Sequence, residues 1–466
     1  MLARVVLCAA LFATTAAAQD RAMPPEAERQ LARAIYKEMV EIKSGFTTGA
    51  TTPVAQAAAR RLRAAGFPAK DIFVGGAIPT KANLVVRYHG TGRQRPLLLL
   101  AHIDVVEAKR EDWSMDPFTL TEKDGYFYGR GTGDDKSQAA VWIANLIRYK
   151  REAFTPDRDI IVALTADEEG GGPYSGIEWL LKNHRDLIDA EYCLNEGGWG
   201  ESVEGVRLSN DLQVAEKYVV NFRFEVKNKG GHSSLPVADN AIYHLSGALD
   251  RLSRFGFPLK INDVSRAYFR AMSGIEKGPI HSDLALVAGG DSAAMSRVAA
   301  GATAWNATLR TTCVATQLEG GHAINALPQL AAAMVNCRVL PEDGVDYVTA
   351  TLKRVVADTA VSIAVIGTPH NAPASPMRAD LMSTVSSVTN ALWPGVPTVP
   401  MMVMGATDGL YLRVAGIPTY GIQGFFYDRN DIRFHGRDER LKVQSFYEGQ
   451  TFLYELVKRL AGAPSA

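Results

Sequence analysis

The sequence predicts an α/β protein in which a mainly parallel sheet is flanked by helices and a smaller α+β domain is inserted. Strand-like runs alternate with helical runs on both sides of the insertion, which is typical of a layered α/β domain. Several of these runs, such as residues 97–101, are continuously apolar, as expected for strands buried on both faces. Residues 219–226 instead alternate apolar with polar residues, which indicates a half-exposed strand in a different layer.

Length and composition set the first limits on function. The chain has 466 residues, with 50 Lys and Arg against 50 Asp and Glu. This length favours about two or three domains. The balanced charge argues against nucleic acid as the main partner, because binding phosphates requires clustered Lys and Arg. With 47% hydrophobic residues, the composition is that of a folded protein rather than a disordered or collagen-like chain.

The larger domain is expected in two parts, residues 24–216 and 341–462. In the first part we predict helices at 26–40, 53–65, 135–149 and 177–183, and strands at 97–101, 160–164 and 192–194. Asp134 or its neighbour is a candidate cap for the third of these helices. In the second part we predict helices at 345–358, 381–392 and 443–460, and a strand end at 420–421.

The inserted domain is expected at residues 217–340. Its alternating pattern and short apolar runs predict a helix at 241–252 and strands at 219–226, 303–313 and 331–338.

The first 18 residues are expected to be a signal peptide. Arg4 precedes a short apolar run at residues 5–13, and three alanines at 16–18 form a small-residue cleavage site. The apolar run is short for a membrane span, although an uncleaved anchor is the alternative. Since no other run of about 18 apolar residues follows, we expect a periplasmic or secreted protein that leaves the membrane after cleavage.

Three cysteines remain after the predicted cleavage: Cys193, Cys313 and Cys337. In an oxidising compartment this odd number favours one disulfide and one buried thiol. Cys313 and Cys337 lie in two strand-like runs, and antiparallel pairing would place them side by side. Three buried thiols are the alternative.

Acidic side chains follow several of the predicted strands. Because ligands bind at the carboxyl ends of strands in open α/β sheets, we expect these side chains to meet at one edge. The carboxylates in these motifs are Asp104, Asp134, Asp135, Glu168, Glu169 and Glu196. So many negative charges cannot all ionise at close range without compensation, and divalent cations would supply it. Taken singly, each motif has a simpler explanation, such as a helix cap or a solvated loop, so their joint occurrence carries the prediction.

These motifs, in this order, resemble the dinuclear zinc metallopeptidase/deacylase family of carboxypeptidase G, aminoacylase, acetylornithine deacetylase and succinyl-diaminopimelate desuccinylase. The resemblance covers roughly residues 30 to 460 and implies two Zn²⁺ ions, for which Co²⁺ or Mn²⁺ can substitute. It implies that the metal ligands are His102, Asp134, Glu169, Glu196 and His435, with Asp134 bridging. It also implies that Glu168 is the general base and that Asp104 orients a ligand histidine.

The resemblance carries two further expectations for this site. The peptide bond between Asp134 and Asp135 is expected to be cis. His435 is preferred over His370 as the distant ligand because a C-terminal helix follows it, as in the family.

The inserted domain resembles the lid and dimerisation domain of the same family. His232, in a Gly-Gly-His-Ser-Ser-Leu-Pro segment, is expected to stabilise the oxyanion, although a core histidine is the alternative. Asn325, in Asn-Ala-Leu-Pro, and Arg338 are expected to bind substrate, Arg338 through a substrate carboxylate. A homodimer through this domain is also implied.

The implied function is zinc-dependent hydrolysis of amide bonds in small peptides or N-acyl amino acids. Glu196 at its ligand position favours a carboxypeptidase-like enzyme. Leu410 stands where the family often carries Arg, and Arg413, one helical turn later, is a candidate replacement. The alternatives are a dipeptidase or aminopeptidase with the same site, and a non-catalytic binding protein on the same fold.

Overall fold

The computed structural model describes residues 22–170 and 172–462. The predicted signal peptide, residues 1–18, lies outside this range. The described chain forms two compact units. The first contains residues 22–214, 375–401 and 407–462, and the second contains Ala215–Ala374 and Met402–Ala406.

The helices and strands are numbered here along the chain. The helices are α1 Glu26–Glu41, α2 Thr52–Ala64, α3 Lys136–Arg151, α4 Gly176–Asn183, α5 Arg185–Ile188, α6 Ala241–Ser253, α7 Asp263–Ile275, α8 Ile280–Gly289, α9 Ser292–Gly301, α10 Thr303–Leu309, α11 Val345–Val356, α12 Ala379–Leu392, α13 Gly409–Val414 and α14 Val443–Ala461. The strands are β1 Ile72–Gly76, β2 Ala82–Tyr88, β3 Leu97–His102, β4 Thr121–Lys123, β5 Tyr126–Tyr128, β6 Ile160–Thr165, β7 Tyr192–Asn195, β8 Gly200–Val203, β9 Val206–Glu216, β10 Tyr218–Lys227, β11 Gly231–His232, β12 Thr312–Gly320, β13 Ala326–Leu327, β14 Leu330–Val339, β15 Ser362–Ile366, β16 Thr398–Val403, β17 Thr419–Gly421, β18 Phe426–Asp428 and β19 Arg440–Lys442.

The first unit is built on a large sheet with the order β1-β2-β6-β3-β7-β17-β9-β8-β18, and β16 pairs with β9. Its central strands β6, β3, β7 and β17 run parallel. Strands β3 and β6 are buried along their whole length, as their continuously apolar sequences predict. The predicted α/β class, with a mainly parallel sheet flanked by helices, is confirmed.

Helices cover both faces of this sheet. On one face, alternate residues such as Leu98, Leu100 and Ile161 pack against Ile177 and Leu180 of α4. On the other face lies α3, whose side chains are almost all buried and whose Trp142 Nε1 donates to the carbonyl of Leu100 at 3.0 Å. This packing fixes the carboxyl ends of β6, β3 and β7 relative to one another. None of the helices in the described residues combines the length and apolar character that crossing a membrane requires.

The second unit contains an antiparallel sheet with the order β12-β14-β10-β15. Strand β10 alternates buried and partly exposed residues, as predicted for 219–226. Cys313 of β12 stands opposite Cys337 of β14, and the two form a disulfide, whereas Cys193 is a buried free thiol. The first of the two alternatives for the cysteines is therefore the one observed.

Three expectations are wrong in detail. The predicted strand at 303–313 is helix α10 followed by β12, because packing that buries Thr308 and Leu309 overrides the strand preference of Thr and Trp. The expected end of the insertion at residue 340 is too early, since β15 pairs with β10 inside the second unit. Asp135 stands at the N-cap of α3, but its side chain makes no capping hydrogen bond.

Candidate active site

Three neighbouring parallel strands deliver most of the predicted site residues. His102 is the last residue of β3, Glu168 and Glu169 lie just beyond β6, and Glu196 directly follows β7. Since these strands are adjacent in the order β6-β3-β7, their carboxyl ends meet at one sheet edge, as the sequence predicts.

Two further predicted ligands come from loops. Asp134 lies in the turn before α3, and its peptide bond to Asp135 is cis, as expected from the resemblance. His435 lies between β18 and β19 and has a backbone φ of 60°, in the left-handed region that residues other than glycine rarely occupy. The competing candidate, His370, belongs to the second unit.

The five predicted ligands form two groups of potential metal-binding atoms that share Asp134. One group is His102, Asp134 and Glu196, and the other is Asp134, Glu169 and His435, with the donor atoms of each group within 4.8 Å of one another. The carboxylate of Asp134 lies between two histidines, with Oδ1 at 2.8 Å from His102 Nε2 and Oδ2 at 3.0 Å from His435 Nε2. Glu169 Oε2 lies 3.1 Å from His435 Nε2.

This cluster contains more carboxylates than imidazoles, so negative charge is in excess. Burial raises the pKa of Glu196 well above its usual value, and the negative charge of Asp134 raises it further. Burial likewise raises the pKa of Glu168, to which the charge of Glu196 adds. Burial opposes the ionisation of Asp134 as well, but hydrogen bonds from His102 and His435 leave its pKa below the usual range. A mixed set of carboxylate and imidazole donors with excess negative charge fits divalent cations such as zinc.

Asp104 lies against the ring of His102, and its main-chain carbonyl is closer to the ring than its carboxylate. Nδ1 of His102 faces the main-chain carbonyl of Asp104 at 3.0 Å, whereas the nearer carboxylate oxygen lies 3.7 Å away. The carboxylate instead accepts the main-chain N–H groups of Glu168 at 3.1 Å and Glu169 at 3.0 Å. Asp104 therefore links His102 on β3 to the loop that carries Glu168 and Glu169.

One buried neighbour of the cluster was not predicted. Nε2 of Gln423 donates to the carboxylate of Asp135 at 3.1 Å, and burial raises the pKa of Asp135. No local sequence signal marks Gln423, because its partner is 288 residues away in the chain.

The site residues predicted in the insertion all lie in the second unit. His232 is exposed on β11, which pairs with β13, and its Nδ1 lies 2.7 Å from Ser234 Oγ. The main-chain carbonyl of the exposed Asn325 accepts the N–H of Ser233 at 3.1 Å, so Asn325 and His232 are neighbours. Arg338 lies apart from them on β14.

Arg413, the candidate replacement for the arginine that the family often carries at position 410, is a buried residue with a main-chain partner. Arg413 is 4% exposed, and its Nη1 donates to the carbonyl of Thr419 at 3.0 Å within the first unit. Leu410 is also buried. The structure therefore places the Arg413 side chain in the interior of the first unit.

The sequence matches the family described as Peptidase family M20/M25/M40 over residues 98–459. The chain belongs to this family. It is 28% identical over 382 residues to the human N-fatty-acyl-amino acid synthase/hydrolase PM20D1, a match that covers 78% of this chain and 74% of the relative. It is 24% identical over 421 residues to mouse aminoacylase-1, covering 87% of this chain and 89% of that protein.

The fold is also similar to that of a solved relative. The crystal structure of Sso-CP2, an M20 family metallo-carboxypeptidase from Sulfolobus solfataricus, has a TM-score of 0.68 at 16% identity, covering 92% of this chain and 98% of the other. The protein is therefore an M20 family hydrolase of the metallopeptidase or amidohydrolase type.

Proposed function

We propose that the protein is a carboxypeptidase-like dizinc hydrolase, which cleaves the amide bond between an acyl or peptidyl group and an amino acid with a free carboxylate. The observation that carries this proposal is the Asp134 carboxylate, which presents one oxygen to each of two donor groups. A bridging carboxylate of this kind is what two metal ions about 3.5–4 Å apart require.

The two groups of donor atoms indicate which residues would hold each ion. His102 and Glu196 would hold one ion, Glu169 and His435 the other, and Asp134 both. When bound, two zinc ions would polarise the scissile carbonyl and lower the pKa of the attacking water.

Glu168 is the proton carrier in this proposal. Asp104 anchors the main chain of Glu168, and burial raises the pKa of the Glu168 carboxyl. A carboxylate held in a fixed position beside the proposed metal ligands is suited both to accepting a proton from water and to delivering it to the leaving nitrogen. The exposed imidazole of His232 would stabilise the oxyanion, and the planar guanidinium of Arg338 would bind the substrate carboxylate.

A substrate panel tests the preference for a free carboxylate. The zinc-loaded enzyme is assayed on N-acyl amino acids, N-blocked dipeptides, the same compounds with amidated C-termini, and free dipeptides. We expect cleavage of the first two classes and a large loss on amidation. Cleavage restricted to substrates with a free amino terminus would establish the dipeptidase or aminopeptidase alternative, and binding without turnover would establish the non-catalytic one.

We also propose that the protein forms a homodimer through the second unit. Strand β12 is an edge strand whose side chains are largely exposed, including Val314 at 57% and Leu318 at 73%. Ile242 and Tyr243 at the start of α6 add further exposed apolar surface. Edge strands with exposed apolar residues are usually covered by a partner. Sedimentation velocity should show a dimer that Leu318→Lys converts to monomer, whereas a monomeric wild-type protein would contradict the proposal.

For localisation, we propose secretion or export to the periplasm. The disulfide between Cys313 and Cys337 supports an oxidising compartment. Fractionation of cells that express the full chain should recover a protein that begins near Gln19 outside the cytoplasm, and recovery of the uncleaved chain in the cytoplasm would contradict this.

A further inference from the structure

Two loops far apart in the sequence carry Asp134 and His435, and a buried ion pair joins them. Nη1 of Arg130 lies 2.6 Å from Oε2 of Glu439, and the two side chains are 3% and 1% exposed. Arg130 precedes Asp134 in the first loop, and Glu439 follows His435 in the second. Both residues belong to the first unit.

Glu439 fixes the turn that presents Asp134. Its carboxylate accepts the main-chain N–H groups of Gly131 at 3.2 Å, Gly133 at 2.6 Å and Asp134 at 3.2 Å. Its main-chain carbonyl accepts the N–H of Gly129 at 3.1 Å. Glu439, the last residue of the second loop, thus accepts hydrogen bonds from four main-chain N–H groups of the first loop.

Arg130 holds the other loop in return. Its Nη2 donates to the main-chain carbonyls of His435 at 3.2 Å and Gly436 at 3.0 Å. His435 needs such support because its backbone is in the left-handed region and its side chain is 55% exposed. By contrast, His102 is the last residue of a buried strand and is 1% exposed.

We propose that Arg130 and Glu439 are a positioning pair that places His435 against Asp134 and so preassembles the second donor group. This inference rests on the proposed metal centre. The group made by His102, Asp134 and Glu196 draws two of its three members from strand ends and depends less on Arg130. Loss of the Arg130 contacts should therefore weaken one metal site more than the other.

The test is Arg130→Lys, which keeps a positive charge beside Glu439. A lysine ammonium lacks the planar fork that reaches a carboxylate and two carbonyls at once. The metal-free protein is titrated with Zn²⁺ against a chromophoric chelator, and Co²⁺ absorption spectra report the geometry at each site. We expect wild type to bind two Zn²⁺, and the variant to bind one of them about 10–100-fold more weakly, with the other changed less than about threefold.

Two variants provide the references. His435→Ala should weaken the same site, which identifies it. Arg158→Lys is the matched control, since Arg158 is also a buried arginine of the first unit, 6% exposed in its side chain and 2.9 Å from Glu191. It should lower the melting temperature of the metal-free protein while leaving both Zn²⁺ affinities at the wild-type value.

The outcomes separate the two proposals. Wild-type protein that binds fewer than two Zn²⁺ would overturn the metal centre itself. With two bound in wild type, unchanged affinities in Arg130→Lys would overturn the positioning pair, and so would an equal weakening of both sites. If Arg130→Lys does not fold, Glu439→Gln, which keeps the shape of the side chain, must weaken the His435 site for the inference to stand.

Discussion

In the first unit, side chains from three strand ends and two loops contact one another, whereas in the second unit two of the three candidate residues, His232 and Asn325, are exposed and Arg338 is half-buried. His102 lies within hydrogen-bond distance of Asp134, which in turn contacts His435. His232 and Asn325 lie exposed on and beside the short β11–β13 pair, and His232 contacts its neighbour Ser234. The donor atoms of the first arrangement already lie close together, whereas His232 and Asn325 of the second are accessible from solvent.

This difference indicates that the two units have different roles in the proposed reaction. A preassembled cluster of carboxylates and imidazoles suits metal binding and proton transfer, which need fixed geometry. Exposed side chains on a small ribbon suit contacts that form only when substrate is present. Substitutions in the cluster of the first unit should therefore alter metal content, proton transfer or both. Substitutions of the exposed residues of the second unit should lower turnover and leave metal content unchanged.

The largest effect is expected for Glu168→Gln. Removing the proton carrier should lower kcat by about 10³-fold, within the range typical of general acid–base catalysis. Zinc content, measured by elemental analysis, should stay at the wild-type value because Glu168 is not an assigned ligand. Glu111→Gln, an exposed glutamate of the same unit, is the control. Retained turnover in Glu168→Gln would remove this residue from the mechanism.

His232→Ala should lower kcat by about 10²–10³-fold, which is the usual cost of losing one oxyanion donor. Zinc content and melting temperature should not change, because the side chain is exposed and lies in the second unit. His281→Ala, at another exposed histidine of that unit, should be silent in all three measurements. A loss of bound zinc in His232→Ala would break the proposed division between the units.

Replacing both Cys313 and Cys337 by Ser should destabilise the second unit by about 3 kcal/mol, since the disulfide closes a loop with a sequence separation of 24. Calorimetry should show this loss, and Zn²⁺ affinity should remain at the wild-type value. If zinc binding weakens together with the stability, the two units are not independent in this respect.

The smallest effect is expected from the pair of His244 and Asp358, whose atoms Nδ1 and Oδ2 are 2.7 Å apart. The hydrogen bond that the imidazole N–H of His244 donates to the Asp358 carboxylate raises the pKa of His244, and the same bond lowers the pKa of Asp358. The stabilisation that His244 gives the folded state is thus fully present at pH values below its unfolded pKa of about 6.5. This stabilisation is lost as the pH rises through the higher pKa that His244 has in the folded state. The stabilisation that Asp358 gives the folded state is present at pH values above its unfolded pKa of about 3.9. This stabilisation is lost as the pH falls through the lower pKa that Asp358 has in the folded state.

Denaturant unfolding at several pH values checks this pair. The stability difference between wild type and His244→Gln should be largest near pH 5–6 and shrink above the folded pKa of His244. It should stay below about 1 kcal/mol because the pair is near the surface. A difference that grows with rising pH would contradict the assignment.

The strand-end motifs were predictable from the sequence because sheet topology brings the ends of parallel strands together. This rule is enough to predict that His102, Glu169 and Glu196 lie close together. The ion pair of Arg130 and Glu439 could not be predicted, because its members are 309 residues apart and no periodicity relates them. The one available signal is the proximity of each to a predicted ligand, Arg130 to Asp134 and Glu439 to His435.

Other features depended on packing that a sequence pattern does not contain. No sequence pattern predicts helices α7 to α9 of the second unit, and the Thr and Trp residues of α10 favour a strand locally. Cys313 and Cys337 were identified as a candidate pair, but only the register of β12 and β14 decides between a disulfide and free thiols.

The proposed two-metal mechanism depends on Asp134 bridging both ions in the first unit. Crystals grown with Zn²⁺ and measured at the zinc absorption edge test it directly. We predict two anomalous peaks, each about 2.0–2.2 Å from a carboxylate oxygen of Asp134, one also bound by His102 and Glu196 and the other by Glu169 and His435. The absence of these peaks, or peaks that leave Asp134 outside the coordination sphere, would contradict a bridging Asp134.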